Sequence, residues 1–251
     1  MLALAQSRII QSRLEQAGYE VEQLVVTTKG DRERDVPISA LGGDGPFVRD
    51  VERALLEWDA DVAVHCVKDL PYDMAEGLVI GGILDVADPR DCLITRKDMD
   101  TTSGSFAVGT GSPRRITQLK KLYPNAVCKG IRGNITTRLE KLEDGEYDGV
   151  ILAKAGIDRA GIDLSDFSVR VFEVDEMIPA VGQGMLACQC RAEDRWLIDL
   201  LYDMTPPDAF VRYRMEREVF CNMRCDCRTA VGIHARMDGG MPKLLMMQDG
   251  Q

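Results

Sequence analysis

Helix-like and strand-like patterns alternate along this chain, and that alternation is the strongest limit on what it can fold into. Residues 3–17 set Leu4, Ile9, Ile10 and Leu14 on one helical face and stop at Gly18. Val21–Thr28 then reads as a strand and Phe47–Glu57 as a second helix, while Asp61–His65 and Gly149–Ala153 are apolar runs that read as buried strands. Strands joined through helices imply an α/β fold with mainly parallel sheets, whose ligands bind beyond the strand C-termini. Asp69, just past the strand that ends near His65, stands at such a position.

Charge points to a second region. The formal net charge is -10, yet between Thr101 and Lys141 eight Lys and Arg residues face a single acid, Glu140. A basic island in an acidic chain marks a place for an anion. Two of its clusters sit where a Gly-containing loop enters a helix, at Gly109–Arg115 and at Arg132-Gly133-Asn134. Helix starts present unpaired N–H groups and the positive end of the dipole to carboxylates or phosphates. Ser112 reads as an N-cap with Pro113 as the first helical residue. Asn134 caps a helix that carries Ile135, Leu139 and Leu142 and ends at Gly145. On charge alone, two solvated helix starts with ordinary surface arginines are the alternative. The acidic balance argues against bulk nucleic-acid binding, so a small polyanionic substrate fits better.

The 251 residues, 45% hydrophobic and 29% charged, suffice for one large or two medium domains with real cores. No apolar run reaches membrane-spanning length and the N-terminus lacks the basic start of a signal peptide, so a soluble cytosolic protein is expected. In such a compartment the eight cysteines are not expected to form disulfides. Cys221, Cys225 and Cys227 have C-x3-C-x-C spacing, unlike a zinc site, so no metal is expected; one functional thiol among incidental ones is the better reading. In Val64-His65-Cys66-Val67-Lys68-Asp69-Leu70-Pro71 a cation and a carboxylate stand side by side. Such an Asp can stabilise developing positive charge or move a proton while the Lys holds an anionic substituent. A surface turn closed by Pro71 is the alternative.

Taken in order, that segment, Asp88-Pro89-Arg90-Asp91, Gly109–Arg115, Arg132-Gly133-Asn134 with Arg138, Tyr147–Ala153, Ile178–Gly184 and Glu216-Arg217 form a specific set. Through them the chain resembles the hydroxymethylbilane synthase (porphobilinogen deaminase) family, essentially from Leu2 to Ala235. The resemblance implies an α/β protein with two periplasmic-binding-protein-like domains enclosing a cleft and a small α+β C-terminal domain. Domain 1 is expected at residues 1–85 and 184–204, domain 2 at 86–183 and a short cofactor-attachment domain 3 at 205–251. Crossings near Asp85 and at Pro179–Gly184 are expected to act as hinges. The implied activity is head-to-tail condensation of porphobilinogen, with loss of ammonia, into hydroxymethylbilane, a step of tetrapyrrole and heme biosynthesis. A cytoplasmic monomer is implied, with no nucleic-acid or membrane partner.

Position by position, the resemblance makes Asp69 the catalytic aspartate, holding pyrrole nitrogens and stabilising the azafulvene cation formed as ammonia leaves. It makes Lys68, Thr110, Ser112, Arg114, Arg115, Arg132, Arg138 and Arg159 the residues that hold cofactor and substrate side chains. It assigns a dipyrromethane cofactor, joined by a thioether to Cys227, with Cys225 as the fallback.

Some positions depart from the family pattern. The chain opens inside the helix that follows the family's first strand, so that strand is expected to be missing. Asp44 and Ala40 replace two loop lysines within and before Gly42–Phe47. Cys225-Asp226 replaces a Gly-Gly pair ahead of Cys227, which restricts the backbone there. The third domain has about 45 residues, near the lower limit for an independent core, and is expected to lean on its neighbours. These departures sustain a second reading, a homologue that keeps the arginines but only binds anionic ligands.

Overall fold

The computed structural model of the chain describes residues 2–26, 48–71, 73–102, 104–223 and 229–248. Thr27 and Thr28, Ala40, the loop Gly42–Phe47 with Asp44, and both Cys225 and Cys227 lie outside the described residues.

Helix α1 (Leu2–Gln16) turns Ile10 and Leu14 inward, and Gly18, at φ +93°, stops it as expected. Next come α2 (Arg49–Leu56), β1 (Ala63–Cys66), a single 3₁₀ turn over Val67–Asp69, and β2 (Leu78–Val86). The middle of the chain supplies β3 (Asp91–Arg96), β4 (Phe106–Gly109), α3 (Pro113–Leu122), β5 (Ala126–Lys129) and α4 (Ile135–Glu143). It continues with β6 (Gly149–Ala153), α5 (Lys154–Ala160) and β7 (Phe167–Val171). The chain returns through β8 (Met185–Arg191), runs along α6 (Arg195–Asp203) and α7 (Pro207–Met223), and finishes in the hairpin of β9 (Val231–Asp238) and β10 (Met241–Gln248). The hairpin turns at Gly239-Gly240, both at positive φ as a two-residue turn requires.

The strands form three sheets, ordered β1-β8-β2, β5-β4-β6-β3-β7 and β9-β10. The expectation of mainly parallel pairing is corrected. Only β4 pairs in parallel, with β5 and β6, whereas the other described ladders are antiparallel. Helix crossovers return a strand in the same direction, and α3 and α4 do so for β5 and β6. Strand β8 instead enters the first sheet from the far side of the chain's excursion through the second.

The strand expected over Val21–Thr28 is also corrected for its described part. Residues 21–26 join no ladder, and Leu24 and Val25 are 56% and 67% exposed. A strand is stable only when its backbone groups find a neighbour, and none of the described strands lies beside this one.

Strand β8 is buried along its whole length, because α1 and α6 cover one face and α7 with the Val67–Leu70 turn covers the other. Its buried Gln189 is satisfied by Glu52 and His65, each at 2.9 Å. The two segments that cross between the first and second sheets run side by side, joined by Ala87 N–H to the Gly184 carbonyl at 2.9 Å. The hairpin docks on the return crossing through Ile233 N–H to the Pro179 carbonyl, 3.1 Å. The short C-terminal part thus leans on its neighbour through a main-chain hydrogen bond.

Gly182 shows how tightly the return crossing sits. It has φ +65°, and a Cβ there would lie 2.0 Å from Val67 Cγ1. Gly182→Ala combines a left-handed backbone with overpacking, and should lower unfolding free energy by about 2–3 kcal/mol, read by urea denaturation.

Candidate active site

Asp69 and Lys68 occupy the 3₁₀ turn that leaves β1, both exposed, while their neighbours Val67 and Leu70 are buried in the core beneath. The sequence pattern of apolar, Lys, Asp, apolar thus becomes a turn pinned at both ends with its charged middle in solvent. Burial, with Asp69 nearby, pushes the Cys66 thiol up to about 11, and its sulfur accepts from Gln6 Nε2 at 3.0 Å. Cys66 is therefore no thiolate nucleophile at neutral pH. Burial also lowers the pKa of His65, which leaves a neutral ring bonded to Gln189.

In the basic island, Ser112 stands at the N-cap of α3 with Pro113 first in the helix, but its hydroxyl makes no cap bond. Instead the Thr110 Oγ1 accepts from Ser112 N–H at 3.3 Å. The paired arginines turn inward. Arg114 reaches Asp91 Oδ2 at 2.7 Å and the Ile178 carbonyl at 2.7 Å. Arg115 reaches Asp91 Oδ1 and the Ile151 carbonyl, each at 2.8 Å, and its Nε is buried without a hydrogen-bond partner. Asp91 itself is fully buried at the start of β3 and also accepts from Gln183 Nε2 at 3.0 Å. Burial pushes its carboxyl up, but the two guanidinium groups outweigh that and hold it at about 2.

The second cluster is more open. Asn134 caps α4 as expected, its Oδ1 accepting from Thr137 N–H at 2.9 Å, and Arg138 Nε donates to the Gly133 carbonyl at 2.8 Å. Burial lowers the pKa of Arg138, and the nearby charges of Arg115 and Arg132 lower it further. Three guanidinium groups thus share one region, and among the described residues Arg138 has no ion pair with a carboxylate. Such an arrangement gains most from an anionic ligand.

Arg159 is placed apart from this group. Its guanidinium, 6% exposed, grips Asp85 Oδ2 at 2.7 Å and donates to the Gly184 carbonyl, so it straps both crossings together. It also lies near enough to Cys66 to act on that thiol.

The buried polar residues that the sequence leaves without a role are Asp91, Gln183, Glu216 and Arg217. Asp91 carried a usable signal, a lone carboxylate opening the apolar run Cys92-Leu93-Ile94 just after Arg90. Gln183, Glu216 and Arg217 carried none beyond membership of the motif set.

Residues 1–199 match the family described as "Porphobilinogen deaminase, dipyromethane cofactor binding domain". Porphobilinogen deaminase of Exiguobacterium sibiricum is 42% identical over 253 residues, covering 98% of this chain and 80% of that protein. The Streptococcus sanguinis porphobilinogen deaminase is 38% identical over 260 residues, covering 100% of this chain and 85% of that protein. Among solved structures, substrate binding domain 2 of Lactococcus lactis GlnP superposes with a TM-score of 0.48 at 12% identity, over 87% of this chain and 83% of that one.

Replacing Asp91 by Asn leaves two buried guanidinium groups facing a neutral amide, and should cost about 3–5 kcal/mol at pH 7. With the folded carboxyl held at about 2, this stabilisation is complete above the unfolded value near 4 and fades as pH falls toward 2. Urea denaturation of both proteins should show the gap narrowing across that window.

Proposed function

The chain belongs to the porphobilinogen deaminase family, and from that membership we propose which of its residues carry the chemistry. The family reaction is the head-to-tail condensation of porphobilinogen, with loss of ammonia, into hydroxymethylbilane, in tetrapyrrole biosynthesis. It is built on a dipyrromethane cofactor.

The donor set fits that group. Each pyrrole ring carries acetate and propionate carboxylates, and Arg115, Arg132 and Arg138 gather guanidinium charge in one region, with a buried Arg115 Nε still unpartnered. Thr110 and Ser112 add hydroxyls at the start of α3. These residues would hold the dipyrromethane and substrate carboxylates, with Arg114 fixing the loop through Asp91. When bound, the dipyrromethane supplies the free pyrrole carbon to which the first substrate unit is joined. Attachment falls to Cys227, with Cys225 as the alternative.

Asp69 is the catalytic group. Its carboxylate accepts from pyrrole N–H groups and offsets the positive charge that develops on the substrate as ammonia departs. Lys68 beside it draws in the substrate's carboxylates. The observation that carries this reading is the exposed Lys68-Asp69 turn on a buried base, in a chain that also sets Arg138 among the like charges of Arg115 and Arg132.

Arg159 serves the hinge and, when the hinge moves, the growing anionic product. The domain limits follow the same logic: residues 1–85 with 184–204, then 86–183, then 205–251, with the hinge where Ala87 meets Gly184. The net charge of -10 supports a small anionic ligand confined to the arginines rather than nucleic acid. Among the described residues no helix is long and apolar enough to cross a membrane. Work as a cytoplasmic monomer follows from the family resemblance.

Asp69→Asn should fold normally and load cofactor yet lose turnover by about 100-fold or more, because a neutral amide cannot offset the cation. After treatment with porphobilinogen, the intact mass of the parent should exceed that of its bare chain by one dipyrromethane, and that of Cys227→Ser should match its own bare chain. An unmodified parent, or near-normal turnover by the Asn variant, would overturn these assignments.

A further inference from the structure

The Glu216-Arg217 pair near the end of α7 lies in none of the roles above, yet both side chains are buried and both reach other parts of the fold. Arg217 crosses to the turn that carries Asp69. Its Nη1 donates to the Leu70 carbonyl at 3.2 Å and its Nη2 to the Pro71 carbonyl. Among the described residues no other side chain donates to these two carbonyls. Glu216 reaches the other way, accepting from Gly182 N–H at 2.6 Å and from Ala235 N–H at 2.7 Å. Gly182 is the residue whose bare Cα rests against Val67, the first residue of the same turn.

The turn is therefore held from both ends by consecutive residues of one helix. Inside it, Leu70 N–H closes on the Val67 carbonyl at 3.1 Å. Behind it, Val67 presses on Gly182, which Glu216 fixes; ahead of it, one guanidinium fork takes two successive carbonyls. A planar fork can hold two acceptors in fixed register, which an ammonium group cannot.

We propose that Arg217 is a positioning residue for Asp69, acting through the Leu70 and Pro71 carbonyls, and that α7 thereby ties the Asp69 turn to the segment that bears Cys225 and Cys227. The proposal rests on the assignment of Asp69 as the catalytic group. Residues 224–228 follow α7 directly in the chain. The helix that leads to the attachment cysteine is thus the one that sets where the catalytic carboxylate stands. A displacement of about 1 Å at such a group is enough to cost a large factor in rate.

The test compares Arg217→Lys with the parent, both as purified with cofactor. Three quantities are read: kcat and KM for porphobilinogen, hydrogen exchange by segment, and the thermal midpoint. The expected result is a kcat lower by roughly 10- to 100-fold with KM within about threefold. Exchange of the Leu70 amide should rise while β9 and β10 keep their protection. Leu70 exchange equal to the parent's would overturn the proposal, and so would exchange that rises equally through α7 and the hairpin. If R217K does not fold, Val67→Ala loosens the turn from its other end without removing a polar group, and the same exchange pattern and kcat loss are required of it. Full turnover by Asp69→Asn beside a localised exchange effect in R217K would remove Asp69 from catalysis while leaving the tether in place.

Discussion

The Asp91 carboxylate, out of contact with solvent, sits where β3 begins and gathers two guanidinium groups and the Gln183 amide around it. A buried carboxylate is costly unless its charge is matched, and here two guanidinium groups match it. The arrangement fixes the start of α3, and with it the loop that carries Thr110 and Ser112. Arg114 and Gln118 also take the Ile178 carbonyl, and Gln183 takes the Pro89 carbonyl, so the same cluster anchors both crossings. The basic loop and the two crossings thus depend on one ion cluster.

A second buried centre does the same for the Asp69 side. Glu216 joins the return crossing to the hairpin, and Arg217 joins α7 to the residues after Asp69. Val67 and Leu70 lie in one apolar cluster with Ala209 and Tyr213 of α7, so polar and apolar contacts agree on the same docking. The short C-terminal segment leans on the body through these groups and through Ile233, which offsets the small core it can build alone.

Much of this was legible from local pattern. The apolar spacing of Ile10 and Leu14 gave α1 and the run Gly149–Ala153 gave β6 to the residue, because each depends on neighbours in sequence. Asn134 capped its helix as its side chain requires. The parallel pairing expected from alternation failed, because strand direction depends on how β8 re-enters the first sheet, and that follows from contacts far apart in the chain. Val21–Val26 has strand-like residues without a described neighbour, and β-propensity without pairing does not make a strand.

The sequence by itself determined the chemistry available: a Lys-Asp pair on a turn, arginines concentrated against one acid, and a family motif set. Charge, side-chain type and spacing are properties of the chain before it folds. Only the tertiary structure decided how those arginines are used. Arg114 and Arg115 face a buried carboxylate, Arg159 straps the crossings, and Arg138 is left among like charges. Which guanidinium meets a carboxylate of the protein and which is left among like charges is set by burial and by partners 23 to 74 residues away, distances over which sequence pattern carries no information.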